Sequence, residues 1–185
     1  MPTLIGHSII ALPINSLILN RKNSLKMTLV AVLCSILPDI DIIGFNYGIS
    51  YASLFGHRGF THSIGFAVLI GITVAIFIVL LDKQPNLKES VSIVASFTLI
   101  TLSHSGLDAM TDGGLGCAFF SPFSNERYFL PWRPFKVAAI GLHSFLIYEG
   151  KSILLEELAY LALPSLTILT YNLVRLRLQN RKKKV

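Results

Sequence analysis

The sequence predicts an all-α fold: a polytopic membrane helix bundle of about five spans plus a short re-entrant or interfacial helix. Three observations carry this expectation. Of 185 residues, 52% are hydrophobic and only 14% charged, where a soluble domain carries about a quarter charged residues, and the mean hydropathy is +0.63. Several apolar runs, the uncharged stretch Ile64 to Leu81 above all, are long enough to cross a bilayer. The polar stretches between the runs are too short to fold alone. A single transmembrane domain over residues 1–174, with a basic cytoplasmic tail over 175–185, is therefore expected.

The first run, Leu4 to Leu19, is broken by His7, Ser8, Asn15 and Ser16 and leaves the membrane through the basic stretch Asn20 to Ser24. Pro13 is tolerable there as a kink, because neighbouring helices re-satisfy the freed carbonyl. No Lys or Arg precedes the run and no small-residue cleavage site stands out after it, so it is expected to be retained rather than removed as a signal peptide. A second helix covers Leu25 to about Leu37, and Pro38 ends or bends it where Asp39 and Asp41 appear. Gly44 to Gly56, rich in aromatics and glycines, suits an interfacial loop. The third helix starts after HRGFTHS (His57 to Ser63), with Thr61 or Ser63 as its N-cap, and ends at Asp82. A turn at Lys83 to Asn86 leads to the fourth, Val91 to about Ala109, which carries His104 and Asp108 in its final turns.

Gly113 to Pro134 reads as a flap in which Arg127, Tyr128, Trp132 and Arg133 form an interfacial or phosphate-facing rim. Phe135 to Tyr148 is apolar but too short to span. The last helix covers Leu158 to Val174 with Pro164 inside it, and six of the sixteen Lys and Arg follow between Arg175 and Lys184. In a soluble protein the net charge of +6 would suggest nucleic acid. After an apolar run it reads as a cytoplasmic anchor favoured by anionic lipid, and no nucleic-acid partner is expected. Cys34 and Cys117 form no CxxC and no framework spacing, which argues against a structural disulfide.

With five spans, eleven Lys and Arg fall on one side and five on the other. The positive-inside rule then puts the C-terminus in the cytoplasm and the N-terminus outside. In that topology His7, Asp39, Asp41, His57, His62, His104 and Asp108 all reach the extracytoplasmic side, although the charge count used none of them.

Each motif alone has a bland reading. His104 and Asp108, four apart, share a helix face and suit one ion, but also suit a packed histidine bonded to a helical neighbour. In PDID, Pro38 to Asp41, two carboxylates repel unless protonated or shared with a cation, though a solvated helix end relieves them too. The histidines of HRGFTHS lie about 140° apart on an ideal helix. They serve one site only if His57 sits in the preceding loop, a turn that Gly59 eases. His7 alone suits a buried histidine bonded to a carbonyl, and His143 is left out of the site. Together, four of five histidines and four of five aspartates sit at ends assigned to one side. A mixed imidazole and carboxylate set suits zinc, or manganese or magnesium, and without thiolates an open, water-activating site is expected rather than a closed structural one. The expected metal set is His7, Asp39, Asp41, His62, His104 and Asp108. His57 and Arg58 are expected to act on substrate, the guanidinium fork of Arg58 gripping a phosphate.

The early His7 followed by PDID, HRGFTHS, HSGLDAMTDGG and SPFSNERYFLPWRP resembles the YdjM-like family of bacterial inner-membrane, metal-dependent hydrolases, over roughly Met1 to Pro134. A fainter likeness links His7, Asp39, His62, His104 and Asp108 to the zinc-dependent phospholipase C and S1/P1 nuclease group. The resemblance implies a multi-pass inner-membrane hydrolase with a divalent metal. The resemblance names no substrate; the leading expectation from the residues themselves is a membrane lipid or a lipid-linked ester or phosphoester, attacked by water activated on metal held by Asp39, His62, His104 and Asp108. The competing expectations are a divalent metal-ion transporter or channel using the same residues, and a non-catalytic membrane protein stabilised by its metal.

Overall fold

The computed structural model of the chain describes residues 2–19, 25–81, 85–137 and 150–182. Among the described residues the regular structure is helical, and of the longer non-helical stretches, 48–59 and 110–137, the second carries two isolated bridges, Thr111 to Phe135 and Cys117 to Tyr128. The helices are α1 (Leu4–Leu19), α2 (Leu25–Ile36), α3 (Ile64–Leu81), α4 (Leu87–Ala109), α5 (Gly150–Glu157) and α6 (Leu163–Lys182). A 3₁₀ segment, Leu37–Tyr47, prolongs α2, and a 3₁₀ turn, Phe60–His62, precedes α3. Four stretches are long and apolar enough to cross a membrane: Leu25–Tyr47, Ile64–Leu81, Leu87–Ala109 and Gly150–Gln179. The first helix is a shorter apolar one. All but three residues of the expected short helix from Phe135 lie outside the described residues, as do His143 and Lys83.

The centre of the bundle is α4. It buries Ile93, Phe97, Ile100, His104, Leu107 and Asp108, a stripe at helical spacing, and packs on α1, α2 and α3. Two of its buried hydroxyls are satisfied within the helix: Ser96 donates to the Ser92 carbonyl and Thr101 to that of Phe97, which removes the cost of leaving them unpaired in lipid. Helix α3 is apolar all round, yet buries only Ala67, Gly71 and Ala75. Those small residues, four apart, let its backbone close on α4. A Cβ on Gly71 would stand 2.3 Å from Thr98 Oγ1 and 2.7 Å from the Val94 carbonyl. The larger residues, Leu69, Ile72, Ile76 and Phe77, stay exposed for lipid.

Several boundaries differ from the sequence expectation. The fourth helix begins at Leu87, four residues early, because Asn86 caps it by accepting the Glu89 amide at 2.9 Å. The second does not give way to a loop at Gly44; the chain stays 3₁₀ to Tyr47 and stops at Gly48, whose φ of 74° is the left-handed conformation open to glycine. The last helix starts at Gly150 instead of Leu158 and runs to Lys182, so the basic stretch continues as helix through that residue. It passes through a π turn, Leu158–Ala162, closed by the Leu163 amide on the Leu158 carbonyl. Pro164 explains the turn: without an N–H it cannot serve the Tyr160 carbonyl, and a wider turn absorbs the defect.

Candidate metal centre

The buried polar residues gather where the start of α1, the end of α2 with its 3₁₀ extension, the start of α3 and the end of α4 meet. His7, His62, His104 and Asp108 are fully buried, Arg58 is 1% exposed, and Asp39 and Asp41 are 7% and 8% exposed. The 3₁₀ geometry sets the two aspartates apart. With three residues per turn, side chains two apart diverge by about 120°, so Asp39 faces α4 while Asp41 faces HRGFTHS.

Each imidazole is oriented from behind. In the i, i+3 pattern Pro38 has no N–H for the Ser35 carbonyl, and that carbonyl accepts His104 Nδ1 at 2.7 Å. His62 Nδ1 lies 3.2 Å from Asp41 Oδ2 and 3.1 Å from Thr61 Oγ1. With both Nδ1 atoms donating, the two Nε2 atoms turn inward and lie 3.1 Å apart, His62 Nε2 carrying the proton that a bound metal would displace. Around them stand Asp39 Oδ1, 3.3 Å from His104 Nε2, and Asp108 Oδ2, 3.3 Å from His62 Nε2. Asp39, His62, His104 and Asp108 thus each offer one donor atom within 4.8 Å of the others, a group that can hold a metal ion. His7 stacks on His104, ring centroids 3.7 Å apart, with its Nε2 3.6 Å from Asp108 Oδ1.

Both oxygens of Asp39, both of Asp108 and both nitrogens of His7 are buried without a hydrogen bond. Arg58 offsets part of this at Asp108 as an ion pair, but each buried polar atom left without a partner costs about 1–3 kcal/mol. A cation at their common focus removes that cost. The same negative field acts on His62: burial opposes its protonation, but the approach of Asp108 and Asp41 outweighs it and pushes the imidazole up to about 9.

Asp41 occupies a different place. Its Oδ1 meets His57 Nδ1 at 2.8 Å, and its Oδ2 accepts Arg58 N at 3.0 Å and Thr61 Oγ1 at 2.7 Å as well as facing His62. One carboxylate therefore folds HRGFTHS around itself, and Asp41, His57 and His62 form a second group able to hold an ion. His57 lies in the preceding loop, as its spacing required. The bend is shared by Arg58 at φ 61° and Gly59, whose φ of −87° and ψ of −126° lie outside the helical and extended regions. Gly59 is needed for close approach, since a Cβ there would stand 2.3 Å from the Leu54 carbonyl. Ser63 rather than Thr61 caps α3, accepting the Phe66 amide at 3.0 Å.

Arg58 is enclosed. Its Nε lies 3.0 Å from Asp108 Oδ2, and its Nη1 donates to Thr111 Oγ1 and the Gly113 carbonyl, both at 3.1 Å. Burial disfavours its charge, but Asp108 and Tyr51 more than restore it. Arg127, expected on a rim, donates to the carbonyls of His57, Tyr51 and Ser53 and so braces the same loop.

A family model described as "YdjM inner membrane protein" matches residues 1–180. The chain belongs to the YdjM family. Among curated proteins it is 32% identical over 169 residues to "Inner membrane protein YbcI" of Escherichia coli (strain K12), covering 91% of this chain and 95% of that protein. No solved structure matches, and the likeness to the phospholipase C and nuclease group finds no support here. Membership of the YdjM family and several apolar helices fit a multi-pass inner-membrane protein.

The Ser35 carbonyl and Glu157 were not singled out from sequence, and Thr61 was read there only as a helix cap. Glu157, 2% exposed in the last membrane stretch, accepts Thr3 Oγ1 at 2.6 Å and also the Thr3 amide. Thr3 Oγ1 in turn caps α1 by accepting the Gly6 amide at 3.1 Å. The carboxylate so tethers the end of α1 that carries His7. A buried acid within an apolar stretch was the available signal.

Proposed function

We propose that this protein is a membrane-bound, metal-dependent hydrolase whose divalent ion is held by Asp39, His62, His104 and Asp108. The buried donors of Asp39, Asp108 and His7 that lack hydrogen bonds, gathered around two opposed imidazole nitrogens, carry this reading. Two imidazoles and two carboxylates suit zinc, with manganese or magnesium as alternatives. Such an ion, when bound, supplies an activated water and polarises an ester or phosphoester oxygen. The chain's own residues do the rest. Ser35 and Asp41 hold the two ligand imidazoles in one tautomer, His7 presents its unpaired nitrogens beside Asp108, and His57 pairs with Asp41 as a proton-handling dyad. The substrate is a membrane-associated ester or phosphoester, and the count of eleven basic residues against five supports an extracytoplasmic site.

The test is a panel of phospholipid, nucleotide and simple ester substrates given to protein purified in detergent, with and without chelator. Chelator-sensitive turnover, restored by a divalent metal, is expected. No turnover by metal-loaded protein would overturn the hydrolase and leave a second reading, a metal-stabilised protein without activity, which the near-complete burial of the donors favours. That reading expects chelation to lower the melting temperature while no substrate is consumed. A transport site would sit near the midplane, whereas this cluster lies at one end of the bundle.

A further inference from the structure

Two groups of donors share His62, and each can hold an ion: Asp39 with His62, His104 and Asp108, and Asp41 with His57 and His62. We infer that the centre takes one divalent cation only: the Asp41 group has its lone pairs already engaged, and the guanidinium of Arg58 fills the other position, against Asp108, where a second cation would stand beside the first. The inference rests on the metal-centre reading above and fixes the number of ions in it.

Lone pairs argue first. Asp41 already accepts or faces His57 Nδ1, Arg58 N, Thr61 Oγ1 and His62 Nδ1, so the second group has no free carboxylate. The orphaned oxygens belong to Asp39 and Asp108, in the first group.

Position argues next. In two-metal sites the ions lie about 3.5–4 Å apart on shared ligands. The shared ligand here would be Asp108, whose Oδ2 has His62 Nε2 at 3.3 Å and Arg58 Nε at 3.0 Å. The guanidinium stands against that carboxylate as a second ion would. It is built in, not incidental. Arg58 adopts φ 61°, a conformation that persists in a non-glycine residue only when its surroundings over-determine it. Asp41 holds its amide, the Ala118 amide donates to its carbonyl at 2.9 Å, and Thr111 and Gly113 hold Nη1. Gly114, at φ 83°, leaves the room it needs: a Cβ there would stand 3.1 Å from Nη1.

Charge argues last. Ligand imidazoles are neutral, so the buried set of Asp39, Asp41 and Asp108 against Arg58 carries an excess of two negative charges. One divalent ion cancels it. A second would leave an uncompensated double positive charge where burial makes it costly. Because a guanidinium keeps its proton at any working pH, Arg58 is a fixed counter-charge. Its Nε and Nη1 are committed inside the protein, which leaves the phosphate-gripping fork expected from sequence to no substrate.

Protein in detergent is saturated with Zn²⁺, and separately with Mn²⁺, desalted, and its metal counted by mass spectrometry, with the Mn²⁺ sample examined by electron paramagnetic resonance. One ion per chain and an isolated six-line Mn²⁺ spectrum are expected. Two ions per chain, or a coupled Mn²⁺ pair, would overturn this inference while leaving the metal centre standing. No bound ion would defeat the metal-centre reading itself. Arg58→Met, which removes the charge and keeps much of the bulk, is expected to take up a second equivalent, and Arg58→Lys to stay at one. Arg58→Met remaining at one ion with unchanged affinity would show that the guanidinium does not exclude the second. Should that variant fail to fold by circular dichroism, the wild-type count decides.

Discussion

Asp41→Asn separates a ligand from the residue that orients one. The carboxylate serves His57 on one oxygen and Arg58 N, Thr61 and His62 on the other. An amide keeps one oxygen, so at least one of these donors meets an NH₂ group instead of an acceptor. Hydrogen bonds to a charged group are worth about 1.5–3 kcal/mol each, and a buried group left unsatisfied costs about 1–3 kcal/mol more. The thermal midpoint should therefore fall. The ligand atoms themselves stay in place, so metal affinity should fall by about 10- to 100-fold, the usual consequence of losing a residue behind a metal-bound histidine. Asp39→Asn replaces a charged donor at the focus with a weaker neutral one and should cost more affinity than Asp41→Asn. Competition with a chromophoric chelator measures both, and the visible spectrum of bound Co²⁺ should change with Asp39→Asn more than with Asp41→Asn. Equal or greater loss for Asp41→Asn would make Asp41 a ligand and refute the assignment; unchanged affinity would refute its orienting role.

Because His62 is raised to about 9 from an unfolded value near 6.5, its contribution to the stability of chelator-treated protein is complete below about pH 6.5 and lost as pH rises through 9. Metal and proton compete for Nε2, so affinity should rise with pH up to about 9, one proton released from His62 per ion, and then flatten; calorimetry in buffers of different ionisation enthalpy measures this, and a pH-independent affinity would contradict it. Gly71→Val drives a side chain into the Val94 carbonyl and Thr98 and should destabilise by about 1–3 kcal/mol or more, seen as a lower melting temperature in detergent; an unchanged melt would mean that α3 and α4 do not cross there. Gly6→Ala puts a Cβ 2.8 Å from the Glu157 carboxylate; although alanine favours a helix by about 1 kcal/mol, the lost tether to Thr3 should make the change net destabilising, and a higher melting temperature would refute the tether.

The features legible in the chain are those that depend on local physics. Helical runs ending at Leu19 and Leu81, and starting at Leu4, Leu25 and Ile64, follow from apolar length and from the polar residues that close it. The gathering of His7, Asp39, His62, His104 and Asp108 at one end of the bundle was legible because an up-and-down chain of spans brings alternate ends together, and ionisable groups at those ends need partners. Only tertiary structure decided which atom faces which. A 3₁₀ continuation past Pro38 splits Asp39 from Asp41, and no periodicity in the sequence sorts two carboxylates two positions apart into a donor at the focus and an acceptor behind it. Arg58 read as a free fork because its neighbours in sequence are loop residues, but its partners Asp108, Thr111 and Gly113 lie on a distant stretch that packing brings to it. Glu157 likewise depends on α1 lying against the last membrane stretch, 154 residues from Thr3. The charge pattern of a chain shows that a buried acid needs a counterpart; which one it finds is settled by packing, because desolvation makes each buried charge pair with whatever partner the fold brings within a few ångströms.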